Sequence, residues 1–207
     1  MHAASALPSL PPGPVPAPRR QVFVGAALAV AAGTMLVGTM MAMWLRFRAA
    51  APLRAGGAPE RELIKDWMPA DIFVPEVAVN MALIGFAVAC VMAQWAVYAA
   101  RRGYGSQVGL ALGMTFLMGL AALNAQFFVW TEMGVGVSDG AFGSMFYAAT
   151  GTMAALVVIG LLFTAVVAFR YLGGRVRGVE YVSAHALYWY FLAAAFAVVW
   201  FVVYVQK

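Results

Sequence analysis

The sequence predicts an all-α protein, an integral membrane bundle of five transmembrane helices. Of its 207 residues 64% are hydrophobic and only 10% are charged, with a mean hydropathy of +0.86, more apolar surface than a soluble fold can cover. The apolar residues also gather into five runs of about 20 or more, the length at which a helix rising ~1.5 Å per residue crosses ~30 Å of hydrocarbon. The basic residues stand in short groups between those runs, where they orient helices. The net charge of +5 is therefore a topology signal, and it lends no support to a nucleic-acid partner.

Residues 1–20 hold Pro8, Pro11, Pro12, Pro14, Pro16 and Pro18 and end in Arg19-Arg20, so they read as a Pro-rich disordered tail. Residues 21–207 form the transmembrane domain. Its first span is expected at about 22–45, too long for the apolar region of a cleaved signal peptide. Arg46 and Arg48 close it and open the largest loop, with Arg54, Glu60, Arg61, Glu62, Lys65, Asp66 and Asp71. The second span, about 72–100, carries Pro75-Glu76 in its first turn, a proline and an acid suited to a helix start. Arg101-Arg102-Gly103 and a very short turn lead to the third span, about 107–130, which must lie antiparallel beside the second. The loop 131–140 has no basic residue. A fourth span covers about 141–169 and a fifth about 181–205, separated by Arg170, Arg175 and Arg177. No internal repeat is evident.

Five spans place the termini on opposite sides. The side shared with the N-terminus carries Arg19, Arg20, Arg101, Arg102, Arg170, Arg175 and Arg177 against Glu180 alone, while the other carries six basic residues among seven acids. The short loops, where the positive-inside rule works best, put the N-terminus in the cytoplasm. Trp44, Trp95, Tyr98, Tyr104, Trp130, Tyr181, Trp200 and Tyr204 fall near span ends, as interfacial rings should.

Within the spans the polar residues are neutral: Thr34, Thr39, Asn80, Gln94, Thr115, Asn124, Gln126, Thr150, Thr152 and Thr164. Hydroxyls of this kind bond back to their own helix and amides bridge helices. His185 could in principle bind haem or copper, but ligation needs a second group at membrane depth. His2 lies in the tail, so a structural or interfacial role is the better reading. Met35, Met40, Met41 and Met43 evoke copper but equally suit adaptable packing. Cys90, alone in an apolar run, reads as a small hydrophobe. Gly109, Gly113, Gly119, Gly151 and Gly160 read as points of close helix approach. No phosphate loop, nucleophile elbow, paired carboxylate or metal-binding cluster is visible, so the expected sets of catalytic, cofactor-binding and metal-binding residues are all empty.

The fourth span opens Ala141-Phe142-Gly143-Ser144-Met145-Phe146-Tyr147-Ala148-Ala149-Thr150-Gly151. This string closely resembles the "ayGSlFYllTG" segment of subunit III of haem-copper (cytochrome c) oxidases. Tyr188-Trp189-Tyr190-Phe191 is similar to the family's "yYWHFvD", Gln126–Trp130 to its "QayEY", and Asn80 with the run after it to its "NT.lLl.SS" helix. Five spans match the short bacterial form of the family. The departures are systematic. Family glutamates align with Gly33 and Val129, the histidines of "TGfHglHv" with Met153 and Leu156, and the histidine and aspartate of "WHFvD" with Tyr190 and Ala193. Roles resting on those groups, such as support of proton uptake, do not carry over.

The resemblance implies a non-catalytic subunit III-like component of a haem-copper respiratory oxidase in a bacterial inner membrane. It would pack against oxidase subunits I and II, stabilise the catalytic subunit and order lipid. It would bind no cofactor itself, with haem and copper in the partner subunits. An accessory of a nitric oxide reductase or respiratory supercomplex, and a stand-alone small carrier or channel, stay open as alternatives; a carrier would need a polar path at the midplane.

Overall fold

The computed structural model describes residues 20–54, 67–68, 72–174 and 178–206. Among these residues there are five helices and no strand: α1 (Gln21–Arg54), α2 (Glu76–Arg101), α3 (Gly105–Met133), α4 (Gly140–Leu172) and α5 (Val179–Val199), the last continued by a π-helical segment, Trp200–Val205. All five are long and apolar enough to cross a membrane. Residues 1–19, the loop charges Glu60, Arg61, Glu62, Lys65, Asp66 and Asp71, and Arg175, Arg177 and Lys207 lie outside the described residues.

Helix bounds differ from span bounds for physical reasons. Helix α1 runs nine residues past Leu45, because Arg46 and Arg48 end the apolar run without breaking the helix and alanines 49–51 are strong helix formers. Helix α2 starts only at Glu76, with Pro75 as its N-cap residue; residues 72–75 precede the helix, since proline restricts the residue before it. The α2–α3 turn is as tight as the sequence requires. Gly103 takes φ of 76°, the left-handed conformation that lets the chain leave a helix, and the amide of Tyr104 returns to the Ala99 carbonyl at 3.0 Å.

Helix α5 is the central element, packed against α1, α2 and α4, while α3 lies outside α2 and also touches α4. The α2–α3 hairpin is the most extensively packed pair. Both helices bury small residues, Ala89, Ala93 and Ala96 on α2 and Ala111 and Thr115 on α3, which let membrane helices approach without cavities. Three of the five singled-out glycines serve the same end. A Cβ on Gly119 would lie 2.6 Å from Trp189 Cη2, one on Gly160 2.8 Å from Leu192 and one on Gly109 2.9 Å from Leu172, whereas Gly113 and Gly151 face open space.

Two of the expected interfacial rings are instead core residues. Trp44 is 1% exposed and Tyr204 5%. Trp44 stacks edge-on against Trp67 at 5.4 Å and Phe142 at 5.6 Å, tying the long connection to α1 and α4 through aromatic packing. Tyr98 and Tyr104 do lie exposed at their span ends, with Arg102 over the Tyr98 ring at 4.2 Å.

Candidate functional site: the α3–α4 turn and a buried polar junction

The segment from Gly143 to Thr150 acts on the turn that precedes it. Gly143 packs its Cα against the carbonyl of Gly136, where any Cβ would collide with backbone. The Ser144 hydroxyl lies 3.0 Å from the carbonyls of both Val137 and Gly140, and the Tyr147 hydroxyl donates to the Val135 carbonyl at 2.9 Å. Asp139, the N-cap residue of α4, accepts from the Gly136 amide at 2.6 Å. Thr150 donates to the Phe146 carbonyl (2.7 Å) and accepts from Trp130 Nε1 (3.0 Å), so it fastens α3 to α4. Phe146 is fully buried, edge-on to the Tyr204 ring at 6.2 Å. The string therefore has a local physical reason: glycine for close backbone approach, then serine and tyrosine to satisfy the carbonyls of a turn that lacks regular hydrogen bonding.

That same string carries the resemblance drawn from the sequence. A model of the cytochrome c oxidase subunit III family matches residues 21–207. The chain belongs to the cytochrome c oxidase subunit III family. Among curated relatives named cytochrome c oxidase subunit 3, the protein of Cyprinus carpio is 31% identical over 154 residues, 72% of this chain and 57% of that protein. That of Xenopus laevis is 30% identical over 153 residues, again 72% and 57%, and that of Lemur catta 33% over 154, 72% and 54%. The chain spans a little over half the length of these relatives.

Of the positions at which the resemblance marks a substitution, all but the exposed Tyr190 pack within the bundle. Gly33 meets the Phe191 ring, with a Cβ there falling 2.5 Å from Phe191 Cζ. Val129 and Met153 are buried core residues. The Leu156 carbonyl accepts the Tyr188 hydroxyl at 3.0 Å. Tyr190 points outward and donates to Gln94 at 2.8 Å, and Ala193 packs at the edge of the core.

His185 sits in a second buried constellation, nearly two turns into α5 because the helix begins at Val179 rather than near Tyr181. It is fully buried. The Thr164 hydroxyl donates to the Gly160 carbonyl at 2.7 Å, which leaves its lone pairs for the Trp189 indole N–H at 3.0 Å and His185 Nε2 at 2.9 Å. One hydroxyl has one proton, and with that proton on the Gly160 carbonyl the hydrogen of the imidazole stands on Nε2. His185 Nδ1 has no hydrogen-bond partner, and the ring otherwise contacts Phe163 and Trp189. Those neighbours offer no second ligand, so the donor set does not fit haem or copper. Among the described residues no three of His, Cys, Asp and Glu converge. The methionines of α1 diverge, with Met41 buried and Met35 75% exposed. Cys90 rests its thiol 3.6 Å from the Trp189 carbonyl.

Glu76 is the first residue of α2 and borders a recess with Asn80, Trp200 and Tyr204, at the end of α5 opposite His185. One contact was not legible in the sequence. The Glu180 carboxylate accepts the amides of Val22 (2.8 Å) and Phe23 (3.2 Å), capping the first turn of α1 from across the bundle.

Proposed function

We propose that this chain is a subunit III-type component of a cytochrome c oxidase, acting by packing rather than by chemistry of its own. In this reading it braces subunits I and II, orders surrounding lipid, and leaves haem and copper to those partners. The observation that carries it is the Gly143–Thr150 string, each of whose defining side chains up to Thr150 has a structural task in the α3–α4 turn. The polar interior supports the same reading. Its amides and hydroxyls bridge or cap helices, as with Gln126 and Tyr204 at 3.3 Å and Asn80 and Trp200 at 2.9 Å, and such pairs hold a bundle without forming a proton path. We place the N-terminus in the cytoplasm of a bacterial cell, with the Arg101-Arg102 turn on the same side.

Gentle solubilisation followed by a haem spectrum of the purified assembly tests the assignment. Haem absorbance that co-purifies with the chain in fixed proportion is the expected result. A haem-free homomer would instead indicate a stand-alone carrier.

A further inference from the structure

Four side-chain amides lie within the spans away from their ends: Asn80, Gln94, Asn124 and Gln126. Three of them are bonded within the chain, each to a ring on α5 or its π segment, Asn80 to Trp200, Gln94 to Tyr190 and Gln126 to Tyr204. Asn124 makes no hydrogen bond to any described residue. It is exposed on α3, five residues past the midpoint of the helix, about 8 Å toward one end at 1.5 Å per residue. At that depth lipid tails offer neither donor nor acceptor, and an unpaired amide costs several kcal/mol.

The residues around Asn124 form a pattern. Leu110, Met114, Leu117, Ala121, Asn124, Phe128 and Thr131 are all exposed and alternate in steps of four and three, the spacing of a coiled-coil seam. With Met114, Ala121 and Phe128 at the a positions of that repeat, Asn124 falls at d, a polar break between apolar neighbours. Beside it lies a recess of about 470 Å³ lined by Ala78, Ala125, Phe127 and Phe128, room for the side chains of an apposed helix. The outward stripe of α4 is equally exposed but purely apolar, with Ile159, Leu162, Val166 and Phe169, as a surface that meets only lipid should be.

We propose that two copies of this chain pair through the outward face of α3, with Asn124 of one copy hydrogen-bonded to Asn124 of the other. Membrane insertion gives every copy one orientation, so a twofold axis along the membrane normal brings the two α3 helices together parallel and in register. Each residue of the stripe then faces its own counterpart. A carboxamide carries both donor and acceptor, so it is complementary to itself, and an interhelical bond of this kind is the recognised means of joining membrane helices. The pairing does not rest on the oxidase assignment, since it follows from the face alone.

The test uses the full-length chain in its native membranes, with Cys90→Ala as background and single cysteines at Leu117, Ala121, Asn124 or Phe128, treated with a short bifunctional maleimide. Cross-linked dimers of twice the 22.0 kDa chain mass are expected from these four positions and not from Leu162→Cys on α4. Adding Asn124→Leu to the Leu117→Cys chain should lower dimer yield by about threefold or more, in line with interhelical hydrogen bonds of ~0.6–2 kcal/mol, while Asn124→Gln should retain most of it. No dimer at any of the four positions, equal yield at Leu162, or adducts only with a chain of different mass would overturn the proposal. Haem co-purification is read separately, so failure here leaves the oxidase assignment standing.

Discussion

The edge of the Phe191 ring faces the backbone of Gly33 so closely that a Cβ on residue 33 would lie 2.5 Å from Phe191 Cζ. Helix α1 packs against α5 at this contact, and the aromatic ring fills the space that a side chain at residue 33 would need. Gly33→Ala should therefore destabilise the solubilised protein by about 1–3 kcal/mol, as overpacking does. Phe191→Leu in the same chain should recover part of that loss. Additive effects of the two changes in thermal unfolding would show that the contact is not the cause.

Thr164 is the shared acceptor for two buried donors, Trp189 and His185. Replacing it with valine keeps the volume and strands both N–H groups, at an expected cost of about 1–3 kcal/mol for each unsatisfied group. Thr164→Ser keeps the oxygen and should cost much less. Equal melting temperatures for the valine and serine variants would contradict the assigned network.

Tyr147→Phe removes the hydroxyl that holds the Val135 carbonyl. The α3–α4 turn should loosen while the helices persist. Limited proteolysis between residues 134 and 139 should speed up several-fold, with the helical circular dichroism unchanged; a cleavage rate equal to wild type would remove the turn-locking role.

The topology makes a further prediction. A cysteine at Asp139 should be labelled by an impermeant maleimide from the periplasmic side, and one at Arg102 only from the cytoplasm. Labelling of residue 139 from the cytoplasm alone would invert the orientation.

The spans were legible because lipid leaves helices as the way to satisfy backbone groups in long apolar runs, and the tight α2–α3 turn followed from Arg101-Arg102-Gly103. The extension of α1 beyond Arg46 was not, since charge ends an apolar run but leaves helix propensity intact. Burial direction was also hidden. Trp44 and Tyr204 satisfy the rule for interfacial rings by position, yet they turn inward, Tyr204 on the π segment where a wider turn shifts the helix phase. The Gly143–Thr150 string could be found by resemblance, but its task of satisfying the turn carbonyls needed the fold. The Glu180 cap joins residues 158 positions apart, a pairing that no local pattern announces.

The central claim is that the chain serves by packing and carries no protons itself. Among the described Asp, Glu and His residues His185 lies deepest in a helix, while Glu76 opens α2 near the opposite end of α5. The most direct measurement is protons pumped per electron in the assembled oxidase bearing both Glu76→Gln and His185→Gln, the latter keeping an N–H near Thr164. The ratio should equal that of wild type, with any loss confined to yield or durability of the complex. A fall in the ratio in a complex with full subunit and haem content would contradict the claim and give these residues a direct part in proton transfer.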